Sequence, residues 1–377
     1  AAGLGAAWTD PMSDGIPCNT CGIARAPEDT GGRLHLWFPH PAGFRAAIEA
    51  LGRVGVPFFE SDGDATQLVA EVPPGALTTT VAAVNEALTG EERRTVRAAV
   101  VHGEFTPRDV ASVQPIEDLG VTLGSGWLAD LLNEGRLESH AQPIVTPDGR
   151  AYGHEMLARG IDLDGSLISP ARLYGTAKRS GLLFPLDRAA RIRAVHDAAS
   201  YGLDGQIFIN FVPTAIYNPA VCLQTTIAAV RQAGIAPEHV VFEVTETEGV
   251  EDHQHLVNIL EFYRRAGFRV ALDDLGEGYS SLNLLHQVRP DYIKIDMAII
   301  RNVDADPWKQ AITEMLLGVA RKLEIVTIAE GIETPAEAAW LTARGVDLMQ
   351  GYLYGRPARQ RPAKDCGRAP GTYARAA

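Results

Sequence analysis

The chain has 377 residues, 46% apolar and 21% charged, with a net charge of −13 and an isoelectric point near 5.3. That length allows two or three domains and a large core, and without a basic tail or Lys/Arg run duplex nucleic acid is not an expected partner. No apolar run approaches the roughly 20 residues that span a bilayer, no basic segment followed by an apolar core marks a secretory signal, and four cysteines do not make a disulfide scaffold, so no membrane and a reducing, cytoplasmic setting are expected.

Residues 1–32 are rich in Gly, Pro, Asp and Thr and read as irregular. They contain Cys18 and Cys21 as C-x-x-C, with His35 and His40 downstream. The count matches a Cys₂His₂ zinc spacing, but a zinc finger carries its histidines on a helix, and Leu34–Phe38 alternates like a strand. Two thiols in a turn are the expectation, zinc at Cys18/Cys21 the lesser one. Next, Leu34–Phe38, Val56–Phe59, Gln67–Val72 and Val96–Val101 read as strands. Phe44, Ala47, Ile48 and Leu51 make one helix face, and Leu77, Val81, Val84 and Leu88 another. The order βαββαβ predicts a small ferredoxin-like α+β domain over 33–105, regulatory or dimerising in role.

The prolines and glycines of 106–126 predict a connector with short helical pieces. From 127 to 360 the pattern changes. A helix at Trp127–Leu132 leads into Ala141–Val145, which turns at Pro147-Asp148-Gly149 and returns as Ala151–Leu157, a hairpin. Short apolar runs then alternate with amphipathic stretches: Ile207–Asn210, Val240–Glu243, Arg269–Asp274, Tyr292–Lys294, Ile325–Glu330 and Val346–Gln350. Strand-helix alternation predicts a (β/α)₈ TIM-like barrel, and the hairpin makes one strand antiparallel. Residues 361–377 are expected to be a disordered tail.

Polar groups close the runs: Glu155, Asn210, Glu243, Asp273, Asp274, Lys294, Glu330 and Gln350. One such residue is an ordinary solvated strand end. Eight at the carboxyl ends of barrel strands mark a catalytic face. Carboxylates crowded there repel one another, and divalent cations relieve the repulsion. All-oxygen ligation points to Mg²⁺ or Mn²⁺ rather than zinc. The adjacent Asp273-Asp274 suits a two-metal site that activates water for an in-line phosphoryl displacement.

Gln142-Pro143-Ile144-Val145 followed by Glu155-Met156-Leu157-Ala158-Arg159 resembles the signature of the EAL-domain cyclic di-GMP phosphodiesterases. The similarity continues through Ile209-Asn210-Phe211, Glu243-Val244-Thr245-Glu246, Asp273-Asp274-Leu275-Gly276-Glu277, Ile293-Lys294-Ile295-Asp296, Ala329-Glu330-Gly331 and Gln350-Gly351-Tyr352. It covers about 127–360.

The resemblance implies that Glu155, Asn210, Glu243 and Asp273 hold one metal. Asp273 would bridge to a second, held by Asp274 and Glu330. It implies catalytic roles for Lys294, Glu155, Glu330 and Gln350, with Lys294 orienting the attacking hydroxide. Substrate contacts fall to Gln142, Arg159, Asp296, Tyr352 and Pro357, and loop support to Glu246 and Glu333. The implied activity is hydrolysis of cyclic di-GMP to linear pGpG by a homodimer. A catalytically silent cyclic di-GMP receptor is the alternative, and no cyclase motif accompanies the barrel. Four departures stand out: Ala141, Met156, the Phe211-Val212 pair, and Leu275 with Glu277 after the aspartate pair. The last adds a negative charge to a loop thought in that family to couple metal binding to dimerisation.

Overall fold

The computed structural model describes residues 24–25, 27–61, 64–245, 253–275 and 281–361. Cys18, Cys21, Glu246, Glu277 and residues 362–377 lie outside them. Five strands come first: β1 (Gly32–Trp37), β2 (Phe58–Ser61), β3 (Asp64–Val72), β4 (Arg97–Val101) and β5 (Gln114–Pro115). All pairings are antiparallel, in the order β2-β3-β1-β4-β5.

Helix Pro41–Val54 starts with proline in its first turn and stops at Gly55, whose φ of 71° is left-handed. With helix Leu77–Ala87 it buries Phe44, Ala47, Leu51, Val81 and Val84 against Leu34, Leu36, Leu68 and Ala98. His35 sits on β1 with its ring 5.7 Å from that of Trp37, so the strand expectation for this histidine holds. The 106–126 stretch carries more structure than its glycines suggest. β5 extends the first sheet, and helix Ile116–Leu123 puts Ile116 and Leu119 into the same core. Gly120 allows this approach, since a Cβ there would meet Asn85 Nδ2 at 2.5 Å.

The second sheet contains β6 (Leu137–Val145), β7 (Ala151–Ile161), β8 (Leu167–Ile168), β9 (Gln206–Asn210), β10 (Val240–Thr245), β11 (Arg269–Leu275), β12 (Tyr292–Ile295), β13 (Val326–Ala329) and β14 (Leu348–Gln350). β6 pairs antiparallel with both β7 and β14, closing an eight-stranded barrel with β8 as an extra strand on β7. One barrel strand is reversed, as expected, and of the two in the hairpin it is β6. The hairpin is longer than predicted, because β6 and β7 stay paired from Leu137↔Gly160 onwards.

Ile144, Phe208, Val241, Ala271, Tyr292, Ile328 and Leu348, one from each of seven strands, pack into one buried cluster. Side chains two apart on a strand share a face. Two residues further towards the barrel mouth on the same strands stand Gln142, Asn210, Glu243, Asp273, Lys294, Glu330 and Gln350. The apolar plug thus becomes the floor of a polar layer. Helices Leu183–Tyr201, Gln224–Gln232, His253–Arg265 and Pro307–Leu323 cover the outside. Leu256, Ile259, Leu260 and Tyr263, on one face of helix His253–Arg265, are all buried. Among the described residues, no helix is long and apolar enough to cross a membrane.

Candidate active site

Lys294 on β12 is the centre of the polar layer. Its Nζ lies 2.7 Å from Glu330 Oε1, 3.1 Å from Glu243 Oε1 and Asp273 Oδ1, and 3.4 Å from Glu155 Oε2. On the β6 and β14 side, Gln350 Nε2 donates to Glu155 Oε2 at 2.6 Å and to Gln142 Oε1 at 3.2 Å. Asn210 Nδ2 donates to the other Glu155 oxygen at 2.8 Å. The two oxygens of Glu155 therefore accept from two other strands, β9 next to β7 and β14 across β6. Gln142 in turn donates to the carbonyl of Gly355 at 3.2 Å, tying the layer to the segment after β14.

Adjacent strand residues point to opposite faces, so Asp273 and Asp274 would not both reach a barrel mouth from a regular strand. β11 breaks the alternation. Its register with β12 shifts between Leu272 and Leu275, and Asp274 has a φ of 56°, a left-handed conformation uncommon outside glycine, asparagine and aspartate. The Asp274 amide donates to Asp273 Oδ1 at 3.0 Å. One oxygen from each of Glu155, Glu243 and Asp273 lies within 4.8 Å of the others, and the same holds for Asp273, Asp274 and Glu330. Asp273 belongs to both triads, as a bridging ligand requires. Strained residues and bulges concentrate at functional sites.

The donor set suits hard divalent cations. Glu243 supplies the decisive detail: both its carboxylate oxygens are buried, Oε1 faces the Lys294 ammonium at 3.1 Å and Oε2 has no hydrogen-bond partner. A buried carboxylate oxygen without a partner is expensive, and a cation shared with Glu155 and Asp273 would satisfy it.

The family model for the EAL domain matches residues 125–357, which contain this whole layer. The chain belongs to the EAL domain family. The probable cyclic di-GMP phosphodiesterase PdeG of Escherichia coli strain K12 is 36% identical over 234 residues, 60% of this chain and 45% of the relative. The cyclic di-GMP phosphodiesterase NbdA of Pseudomonas aeruginosa is 32% identical over 235 residues, 61% of this chain and 30% of the relative. This chain spans less than half the length of either. A standalone versatile EAL protein from Vibrio cholerae O395, solved in its c-di-GMP bound form, is 39% identical with a TM-score of 0.55. The match covers 60% of this chain and 94% of that one.

Electrostatics in the EAL barrel follow from burial and crowding. Two carboxylates 4 Å apart repel by about 4 kcal/mol at an effective dielectric near 20, far above the roughly 1.4 kcal/mol of one pKa unit. The layer does not hold all its acids ionised beside one lysine. Burial, only partly offset by Lys294, pushes Glu243 well above the usual carboxylate range, and the charges of Glu155 and Asp273 push the same way. Glu330 rises to about 8 for the same reasons, and Asp273 is raised. Glu155 differs. Burial raises it, but Lys294 and the amides of Gln350 and Asn210 take it below its ordinary value. Burial alone would lower Lys294; Asp273, Glu155, Glu243 and Glu330 outweigh it and hold Lys294 well above a normal amine, as an ammonium ion.

This arrangement predicts proton release on cation binding. Without a cation, folded protein keeps a proton on Glu330 up to about pH 8, whereas the unfolded chain loses it near 4.5. The associated stability is full below the lower value and is lost as pH rises through the higher one. Cations displace the proton, so apparent affinity is expected to rise as pH increases through the Glu330 titration near 8. Calorimetric titration of Mn²⁺ in two buffers of different ionisation heat measures the release. Equal heats in both buffers at neutral pH would contradict the raised Glu330.

The other sequence-predicted residues fall in several places. Arg159 lies four residues beyond Glu155 on β7, half-buried, with burial lowering its pKa. Tyr352 is exposed, and the Arg356 guanidinium stands 4.1 Å over its ring. Pro357 precedes Ala358, which bridges to Ala141 beside Gln142. Asp296 is buried, and its Oδ1 accepts the Ala298 amide at 2.7 Å, capping helix Met297–Ile300. Glu333 forms an ion pair with Arg301 at 2.6 Å. The Gln142–Gln350–Glu155 relay across the closing strands was not foreseen. Its members were individually visible, but a link between residues over 190 apart requires the barrel to close.

Proposed function

We propose that this chain hydrolyses one phosphodiester bond of cyclic di-GMP, using Mg²⁺ or Mn²⁺ at the two carboxylate triads. The observation that carries the proposal is the double triad sharing Asp273, with Glu243, one oxygen of which has no partner, inside it. The relatives' names and the ligand of the Vibrio cholerae structure supply the substrate. Water adds to one phosphorus, the bond from that phosphorus to O3′ breaks, and the leaving oxygen takes a proton, giving pGpG. Paired cations at such sites lower the pKa of water and polarise phosphoryl oxygens. Glu155, Glu243 and Asp273 with Asn210 would hold one, and Asp273, Asp274 and Glu330 the other. The Lys294 ammonium sits where it would offset charge developing on the phosphoryl oxygens. Gln350 and Gln142 hold Glu155 in place. Arg159 and Tyr352 would contact the dinucleotide, where a guanidinium fork suits phosphate oxygens.

The N-terminal domain is proposed as a regulatory module and the whole as a cytoplasmic homodimer. Helix Ile116–Leu123 abuts barrel helix Pro170–Ser180, where Arg179 pairs with Glu117 at 3.4 Å and Thr122 Oγ1 donates to the Arg179 carbonyl at 2.8 Å. Trp308, Ile312 and Met315 leave one apolar face of helix Pro307–Leu323 exposed, a surface suited to a second copy. Sedimentation as a monomer at assay concentration would remove the dimer.

Chromatographic assay with cyclic di-GMP and Mg²⁺, against an EDTA control, tests the activity. Metal-dependent pGpG is expected. Cyclic di-GMP bound but intact, with Mn²⁺ also tried, would make the protein a receptor instead. Ca²⁺ is expected to inhibit, since its larger radius and looser geometry occupy the same oxygens without placing water correctly. Turnover with Ca²⁺ equal to that with Mg²⁺ would contradict a two-metal mechanism.

A further inference from the structure

Behind the polar layer lies a second buried ionic group that no step above uses. Asp187 and Arg191, one turn apart on helix Leu183–Tyr201, are both fully buried. Asp187 Oδ2 accepts from Arg191 Nε at 2.9 Å, and Arg191 Nη2 lies equally close. Arg191 Nη1 donates to Thr226 on the next helix. The second Asp187 oxygen accepts the backbone amide of Val212 at 2.8 Å.

Val212 stands two residues after Asn210, where the chain leaves β9. The preceding amide, Phe211 N, donates to the Glu243 carbonyl at 3.1 Å. The corner carrying Asn210 is therefore pinned twice, once to β10 and once to Asp187. Asn210 in turn holds Glu155 Oε1 at 2.8 Å. A fully buried ion pair gives little net stability, because desolvation of both charges offsets their attraction. An apolar pair would fill this space as well. What an apolar pair lacks is an acceptor aimed at Val212 N.

We propose that Asp187 is a positioning residue for the first cation triad: clamped by Arg191, it fixes the Val212 amide, and through Asn210 the Glu155 carboxylate. This inference rests on Glu155, Glu243 and Asp273 being a cation site. Groups that orient metal ligands typically change affinity by about 10–100-fold when removed.

The test is Mn²⁺ calorimetry on the full chain, with thermal melting in EDTA alongside. Glu155→Gln identifies which part of the isotherm belongs to the first triad. The double variant Asp187→Leu with Arg191→Met removes both charges and the acceptor for Val212 N, and leaves no unpaired ion. It is expected to weaken that Mn²⁺ binding about 10-fold while melting within a few degrees of the wild type. Unchanged Mn²⁺ affinity, whatever the melting point, would overturn the inference and leave the pair a purely structural element. Should the double variant not fold, Arg191→Lys is read the same way. It keeps the charge and loses the fork, and a weakening in the same direction is expected; wild-type affinity overturns the inference. A wild type with no Mn²⁺ binding that Glu155→Gln abolishes would refute the cation site itself, and this inference with it.

Discussion

Lys294→Ala is expected to lower turnover of cyclic di-GMP by roughly 10³-fold, the scale on which one charge-stabilising donor matters in a closed site, while Mn²⁺ binds at least as tightly as in the wild type. The second half of that result follows from geometry. Lys294 Nζ is within 3.4 Å of four carboxylates, the same oxygens that the cations would use. Its removal takes away a competing positive charge and leaves the acids more eager for another. In EDTA the variant is expected to melt lower at neutral pH, because Glu243 and Glu330 lose the one charge that offsets their burial, and Mn²⁺ is expected to restore it. Turnover assays paired with Mn²⁺ titration separate the two effects. A near-normal rate would show that Lys294 only neutralises the layer. A parallel loss of Mn²⁺ binding and rate would show that it builds the site instead.

The outline of this site is legible in the sequence because barrel strands end where their polar residues begin. On the six parallel strands of the plug a site residue follows the inward apolar residue two positions on, and on the reversed β6 it precedes it by two; that spacing can be counted without coordinates. The reversed strand is legible for a similar reason, since Pro147-Asp148-Gly149 leaves too little chain for a crossover helix. Three features were not legible, each for a physical reason. The bulge at Asp273-Asp274 depends on a φ of 56° at an aspartate, a conformation imposed by tertiary contacts rather than by propensity. Asp187 and Arg191, four residues apart on a helix, would pass as a surface ion pair; only packing reveals that both are fully buried. The helix at Ile116–Leu123 hides behind Gly120 and Gly124, which look like breakers. In the fold Gly120 is instead where two helices need room.

Glu155→Gln is expected to have the opposite signature to Lys294→Ala: rate and first-site Mn²⁺ affinity fall together, by more than the about 10–100-fold typical of losing an outer partner. Two causes act in the same direction. The substitution removes a charge that the site takes pains to keep, since Glu155 stays ionised despite burial through Lys294, Gln350 and Asn210. It also disturbs a set of acceptors in which each oxygen already has a donor. Oε1 takes Asn210 Nδ2 and Oε2 takes Gln350 Nε2, so a glutamine must turn its own amide hydrogens towards one of these donors. Either the Asn210 or the Gln350 side chain then flips or withdraws. Gln350 also donates to Gln142, so a shift on that side spreads to the strands that close the barrel. Glu155→Asp keeps the charge but is one methylene shorter and cannot hold both donors at their present distances. It is expected to recover part of the Mn²⁺ affinity and little of the rate. If Glu155→Gln retained both, the cations would sit elsewhere, and the carboxylates around Lys294 would be a structural cluster rather than a catalytic one.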